Sequence, residues 1–237
     1  MCLYQEQIVF KWKMIIFFMV DNEELNIKKK IVFLSSSFVN IAKLFADNNN
    51  NYDINLILDK KFPFDSDEVE DFNVYFYDKN KIFEKNRKKY FDELAVFIDE
   101  LEPDYIICDN YKKLLPQEFI DFMLFRNSKI KILNIHHGDL RILSDDNDMR
   151  FKGLNADVKQ FLDEAMIIST IHLIEDDGMD TGERLGFSHE TTIKELKRKG
   201  YINKKEEILN YRLRNVVLFY HERTKVLGFL RRVLEKL

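Results

Sequence analysis

Three observations predict an α/β fold built on a doubly wound, mostly parallel sheet. From Lys28 onward, short β-branched and apolar runs alternate with amphipathic helical stretches. Polar turns separate each run from the helix that follows, as parallel strands joined by crossovers require. Runs such as Tyr105-Ile106-Ile107-Cys108 are apolar throughout, as expected of a strand covered on both faces.

Taken in order, residues 31–34 form the first strand, ended by Ser35-Ser36-Ser37. Residues 38–46 space their apolar side chains helically, and 54–58 and 74–77 are strands two and three. One helix is predicted over 82–101, because Phe83, Tyr90, Phe91, Leu94, Phe97 and Ile98 share a face. Residues 105–108 are the fourth strand, and 116–125 a helix with Pro116 near its first turn. The fifth strand spans 130–135, a helix 155–164 and the sixth strand 167–174. The segment 189–237 is charged and amphipathic, with a stripe of Leu209, Leu213, Val216, Val217 and Tyr220. That stripe is expected to cover the sheet or a neighbouring helix, with a homodimer contact as the alternative. The chain therefore divides into an extension (1–27), an α/β domain (28–188) and a helical C-terminal segment (189–237).

Composition excludes several classes of function. Among 237 residues, 37 Lys and Arg face 41 Asp and Glu, a net charge of −4. A dedicated nucleic-acid binder would carry a basic excess. Cys2 and Cys108 are too few for a disulfide-stapled secreted fold and lack the spacing of a zinc site, so no metal is expected. Residues 8–20 are largely apolar, but the unbroken run 14–20 is far short of the ~20 residues that span a bilayer. Acidic residues follow it, without a small-residue cleavage site. Neither a membrane nor a nucleic-acid partner is expected, and the expected compartment is the cytoplasm.

Ligands of such sheets bind beyond the carboxyl ends of strands. Functional residues are therefore expected just after Leu34, Cys108, Ile135 and Ile174. Two clusters stand there. Asn134-Ile135-His136-His137-Gly138-Asp139 ends the fifth strand, and Asn134 and His136 point to one side of an extended backbone. An amide donor and an imidazole converging there can stabilise an oxyanion and move a proton. His172-Leu173-Ile174-Glu175-Asp176-Asp177-Gly178-Met179-Asp180-Thr181-Gly182-Glu183 follows the sixth strand, and it lacks the spacing of a calcium loop.

Asn-x-His at one strand end, Ser-Thr-Ile-His along the next strand, then Asp-x-Gly-Glu, together resemble the 10-formyltetrahydrofolate-dependent formyltransferase family. Phe151-Lys152-Gly153-Leu154-Asn155-Ala156 resembles its Gly-containing turn into a helix. Pro103 to Ile107, followed by Tyr111 to Pro116, resembles its fourth strand and folate-side loop, and Phe33 to Asn40 its first strand and turn. The resemblance covers about residues 28–188 and implies a Rossmann-like catalytic domain.

The resemblance implies that Asn134 binds the formyl oxygen, His136 stabilises the oxyanion and donates the proton, and Asp180 keeps the imidazole charged and orders a water. It places folate against Tyr111, Lys112, Lys113, Leu114, Leu115, Asp177 and Gly178, and the amine substrate against Ser36, Ser37, Asn40 and Gly153. This chain departs from the pattern at four places. His137 stands where the family usually has Pro, and the loop 141–150 is longer and acidic. One extra residue separates His172 from Asp180, with Gly178 as the insertion and Asp177 as the alternative carboxylate. Phe38-Val39 replaces a Gly-Ser pair in the phosphate-cradling turn, where close backbone approach favours Gly. That change tilts the expected acceptor from glycinamide ribonucleotide towards a nucleotide-linked amino sugar. A folate hydrolase and a non-catalytic folate-binding relative are the other readings.

Overall fold

The computed structural model describes residues 28–36, 42, 45, 51–59 and 73–237. The apolar run 8–20, Ser37, the Phe38-Val39 pair, Asn40 and most of the helix predicted over 38–46 lie outside them. Ala42 and Phe45 are helical and buried.

The first half of the chain supplies β1 (Lys29–Ser35), β2 (Tyr52–Leu58), β3 (Asn73–Phe76), α1 (Asn80–Lys85), α2 (Arg87–Asp99), β4 (Tyr105–Asp109), α3 (Gln117–Arg126) and β5 (Lys131–His136). The second half supplies α4 (Ala156–Glu164), β6 (Met166–Ile167), β7 (Thr170–Leu173), β8 (Arg184–Phe187), β9 (Thr191–Thr192) and α5 (Ile193–Arg198). A 3₁₀ turn (Lys205–Leu209), α6 (Tyr211–His221), a π-helical turn (Glu222–Val226) and α7 (Leu227–Leu234) complete it. Seven strands form one sheet in the order β3-β2-β1-β4-β5-β7-β8. The first five are parallel to one another, and β7 and β8 are antiparallel to their neighbours.

Side-chain alternation along the strands builds a core on each face. Ile31 and Phe33 of β1 pack with Leu56, Ile107, Phe45 and the α7 residues Leu230 and Leu234. Val32 and Leu34 point the other way, against Tyr90, Phe91, Leu94 and Ile98 of α2 and Phe119 and Ile120 of α3. A third, smaller core joins Phe161 of α4 to Leu196, Ile208 and Val217.

Three elements differ from the sequence reading, each for a local reason. The helix expected over 82–101 is two helices, broken at Asn86. Its backbone is extended (φ −153°), and its side chain accepts a hydrogen bond from Lys89 N–H, capping α2. An apolar stripe continues in phase across such a break, so periodicity hides it. The expected sixth strand is two strands: β6 pairs with β9 in a separate two-stranded sheet, and only β7 joins the main sheet. Leu209 does not belong to the helical stripe. It ends the 3₁₀ turn and is exposed, while Asn210 caps α6 through the N–H groups of Arg212 and Leu213. The buried residues of α6 are Val217, Leu218 and His221.

Leu230 has no solvent exposure and meets strands from the first half of the chain. Leu230→Ala is expected to cost about 2–5 kcal/mol in urea unfolding. Phe125→Ala, at an 87% exposed position, is expected to change stability by less than about 0.5 kcal/mol.

Candidate active site

β5 carries Asn134 and His136 two residues apart, and its antiparallel neighbour β7 sets His172 opposite Asn134. Because β7 runs backwards, its last residue, Leu173, lies level with Leu133, below the carboxyl end of β5. The strand-end rule therefore does not hold for position 174. The loop 174–183 doubles back, and this return brings Asp180 to the site.

Asp180 Oδ1 lies 3.2 Å from Asn134 Nδ2, 3.3 Å from His136 Nδ1 and 3.4 Å from His172 Nε2. Its other oxygen accepts the Gly153 N–H at 2.8 Å. His136 Nε2 lies 2.5 Å from the carbonyl of Phe151, so both ring nitrogens of His136 face oxygen acceptors. Burial opposes ionisation of Asp180. Hydrogen bonds from His136 and His172, the charge of His136 and the Gly153 amide outweigh it and hold the carboxyl well below the usual carboxylate range.

The loop owes its shape to Asp176 and Gly182. Asp176 Oδ1 accepts from Gly178 N–H at 2.8 Å and from Thr181 Oγ at 2.6 Å, closing the turn that holds the extra residue. A Cβ on Gly182 would stand 1.8 Å from the Leu173 carbonyl oxygen, so only glycine fits there. Asp177 is exposed, and its N–H donates to Gln117 Oε1 at the start of α3. The carboxylate that meets the imidazole is thus that of Asp180. Gly153 has φ +74°, which presents its amide to Asp180.

The remaining candidates form a wall nearby. Ser36 Oγ donates to Asp59 Oδ2 at 2.8 Å and accepts from Lys112 N–H at 2.9 Å. Lys113 is ion-paired with the same Asp59, and its ammonium stands 5.3–5.7 Å from the ring centres of Phe83, Tyr90 and Tyr111. The Tyr111 and Tyr90 hydroxyls are 3.2 Å apart. Leu115 is buried; Leu114 is exposed, and its carbonyl accepts from Arg87. The Asp177–Gln117 bond ties the acidic loop to the helix that begins just after Leu115.

Sequence reasoning missed Asp59, which anchors this wall, and a second polar cluster beside the first. His137 Nε2 lies 3.5 Å from Asp109 Oδ1 and 3.5 Å from Glu222 Oε1. Its Nδ1 bonds Ser169 Oγ at 2.8 Å, and that hydroxyl lies 3.0 Å from His221 Nε2. Burial opposes charge on His137, but the Asp109 contact and the Glu222 charge push its pKa up to about 9. Burial holds His221 well below its ordinary value, and the charge of His137 adds to that. The one signal in the sequence was His137 itself, a histidine where proline was expected.

A sequence model of the formyl transferase family matches residues 14–207. The chain belongs to the formyl transferase family. Among solved structures, this formyltransferase is similar to a phosphoribosylglycinamide formyltransferase from Bacillus halodurans, at 20% identity and a TM-score of 0.57. The match covers 83% of this chain and 93% of that one. A glycinamide ribonucleotide transformylase from Symbiobacterium toebii is 18% identical with a TM-score of 0.54, over 81% of this chain and 87% of that one. A Coxiella burnetii phosphoribosylglycinamide formyltransferase is 16% identical with a TM-score of 0.58, over 83% and 82%. At these identities the likeness establishes the fold. A comparison with curated proteins found no match. Among the described residues, no helix is long and apolar enough to cross a membrane.

Gly182→Ala is expected to displace the loop that carries Asp180. Formyl transfer should fall by about 10-fold or more, since a shift of 1 Å in a reacting group costs up to ~10²-fold. Circular dichroism should report an intact fold, which separates loop displacement from unfolding.

Proposed function

We propose that this formyltransferase moves the formyl group of 10-formyltetrahydrofolate to the primary amine of a small molecule. The observation that carries this is the convergence of Asn134, His136 and His172 on one carboxylate oxygen of Asp180, at 3.2–3.4 Å. Folate-dependent formyl transfer needs such a set. Amine addition to a formamide-like carbonyl creates an oxyanion, and a proton must pass from the amine to the departing folate nitrogen.

In this reading Asn134 Nδ2 donates to the formyl oxygen as its charge grows, and His136 Nε2 does so after turning from the Phe151 carbonyl to the substrate. Positioned donors of this kind contribute about 2.7–4 kcal/mol each at related acyl-transfer sites. Asp180 holds the imidazole in place and orders a water that takes the amine proton and passes it to the folate nitrogen as the carbon–nitrogen bond breaks. Exposed Leu114 and the backbone at Asp177 and Gly178 flank the Gln117 contact. With Tyr111, Lys112 and Leu115 they offer the mixed apolar and amide surface that a pteridine requires. Lys113 supports that surface through Asp59.

For the acceptor we favour glycinamide ribonucleotide, supported by the names of the solved structures that share the fold. A nucleotide-linked amino sugar is the second reading, supported by Phe38-Val39 in the first turn. Incubation with 10-formyltetrahydrofolate and each amine in turn decides between them. Tetrahydrofolate release that needs glycinamide ribonucleotide supports the first reading, and release with the amino sugar alone supports the second. Release without any amine would make the protein a hydrolase. Asn134→Ala and His136→Ala should each lower the rate by about 10²-fold or more, with a smaller change in folate affinity. Wild-type rates in both variants would refute the mechanism.

The depressed pKa of Asp180 sets a pH signature. The carboxylate stays ionised through the ordinary carboxylate range, so the acid side of the rate profile above pH 5 belongs to the acceptor amine, which must be neutral to attack. Asp180→Asn should lower the plateau without moving that limb. A group whose native pKa is depressed stabilises the fold above its unfolded value, about 3.9, and this is lost as pH falls through the native pKa. The melting-temperature gap between wild type and Asp180→Asn should therefore be full above about pH 5 and narrow below about pH 4.

A further inference from the structure

We infer that Asp109, His137 and Glu222 form a binding site for one zinc-class divalent ion, which ties the ends of β4 and β5 to the π-helical turn. Asp109 ends β4, His137 directly follows β5, and Glu222 opens the turn between α6 and α7. Their exposures are 0%, 7% and 2%. Among the described residues they are the one such group whose ligand atoms gather within 4.8 Å of one another.

The spacing admits an ion. His137 Nε2 stands 3.5 Å from an oxygen of each carboxylate. Ligands bound about 2.0–2.2 Å from a tetrahedral ion stand roughly 3.2–3.6 Å apart, which matches both of these distances. Asn110 Nδ2 reaches the same nitrogen at 3.4 Å.

Two further features support the site. Asp109 Oδ2 is fully buried and has no hydrogen-bond partner among the described residues, so bidentate binding of an ion would satisfy it. The contacts of His137 Nδ1 also match a ligating histidine. With Nδ1–H donating to Ser169 Oγ, that hydroxyl can donate to His221 Nε2 and His221 Nδ1–H to Thr191 Oγ. That order of donors leaves His137 Nε2 as the ring nitrogen an ion would bind in exchange for a proton, as second-shell bonds do in metal sites. One imidazole and two carboxylates suit zinc better than magnesium, which demands octahedral oxygen and dehydrates reluctantly. The three residues are distant in sequence, so no ligand spacing announces them.

The inference is independent of the formyl-transfer reading. The test uses the full chain without an affinity tag, stripped with a chelator and dialysed against zinc chloride. Elemental mass spectrometry should find one zinc per chain, and zinc should raise the melting temperature by about 5 °C or more. Magnesium chloride should give neither effect. His137→Ala and the isosteric Asp109→Asn and Glu222→Gln should lose the bound zinc and the shift. A wild-type chain that returns from dialysis without zinc, its cluster holding a proton only, would overturn the inference. So would unchanged stoichiometry in all three variants, since the ion would then be held elsewhere.

Discussion

The negative charge of Asp180 sits among donors from four places in the chain: Asn134 and His136 of β5, His172 of β7 and the backbone amide of Gly153. A buried carboxylate without such partners would take up a proton or stay in water. With them it remains ionised, and the working end of the sheet is organised around it. The return of the loop 174–183, the left-handed turn at Gly153 and the pairing of Asn134 with His172 serve that one carboxylate. The geometry that holds this buried charge therefore also joins two strands and two loops.

Beneath this polar end the sheet is conventional in its physics. Two apolar layers cover it, and the five parallel strands feed both through simple alternation. Several polar groups at the rim are paired with one another. Ser36, Asp59 and Lys113 form a connected set, which lets a lysine be almost wholly buried between aromatic rings and a carboxylate. Such a set is costly to break, because removing one partner leaves another charge unpaired in a dry place.

The first five strands and the two polar clusters were legible in the sequence because each is local, whereas β8, β9 and the strand order of the sheet were not. Alternation marks 31–34 and 105–108, and Asn134, His136 and Asp180 belong to linear motifs with a known order. Direction was not legible. The run 167–174 has the composition of a strand whichever way it points, and only its pairing with β5 shows that β7 is antiparallel. The break at Asn86 was hidden because a cap interrupts the backbone without disturbing the apolar stripe. The extra residue near Gly178 left two registers open, and the turn closed by Asp176 selects Asp180 over Asp177. Asp59 and the group around His137 were invisible for a different reason. Their partners come from separate strands and helices, and nothing short of the fold brings them together.

The placement of α7 has a consequence for how the protein is made. Residues Leu227 to Leu234 complete the same apolar layer as β1, β2 and β4, which are synthesised far earlier. While the chain is still on the ribosome, one face of its first strands lacks the cover that α7 supplies. That open face consists of Ile31, Phe33, Leu56 and Ile107, the kind of surface that draws chaperones or a second nascent chain. Until α7 arrives that layer is incomplete, and slower translation through 110–226 lengthens the interval.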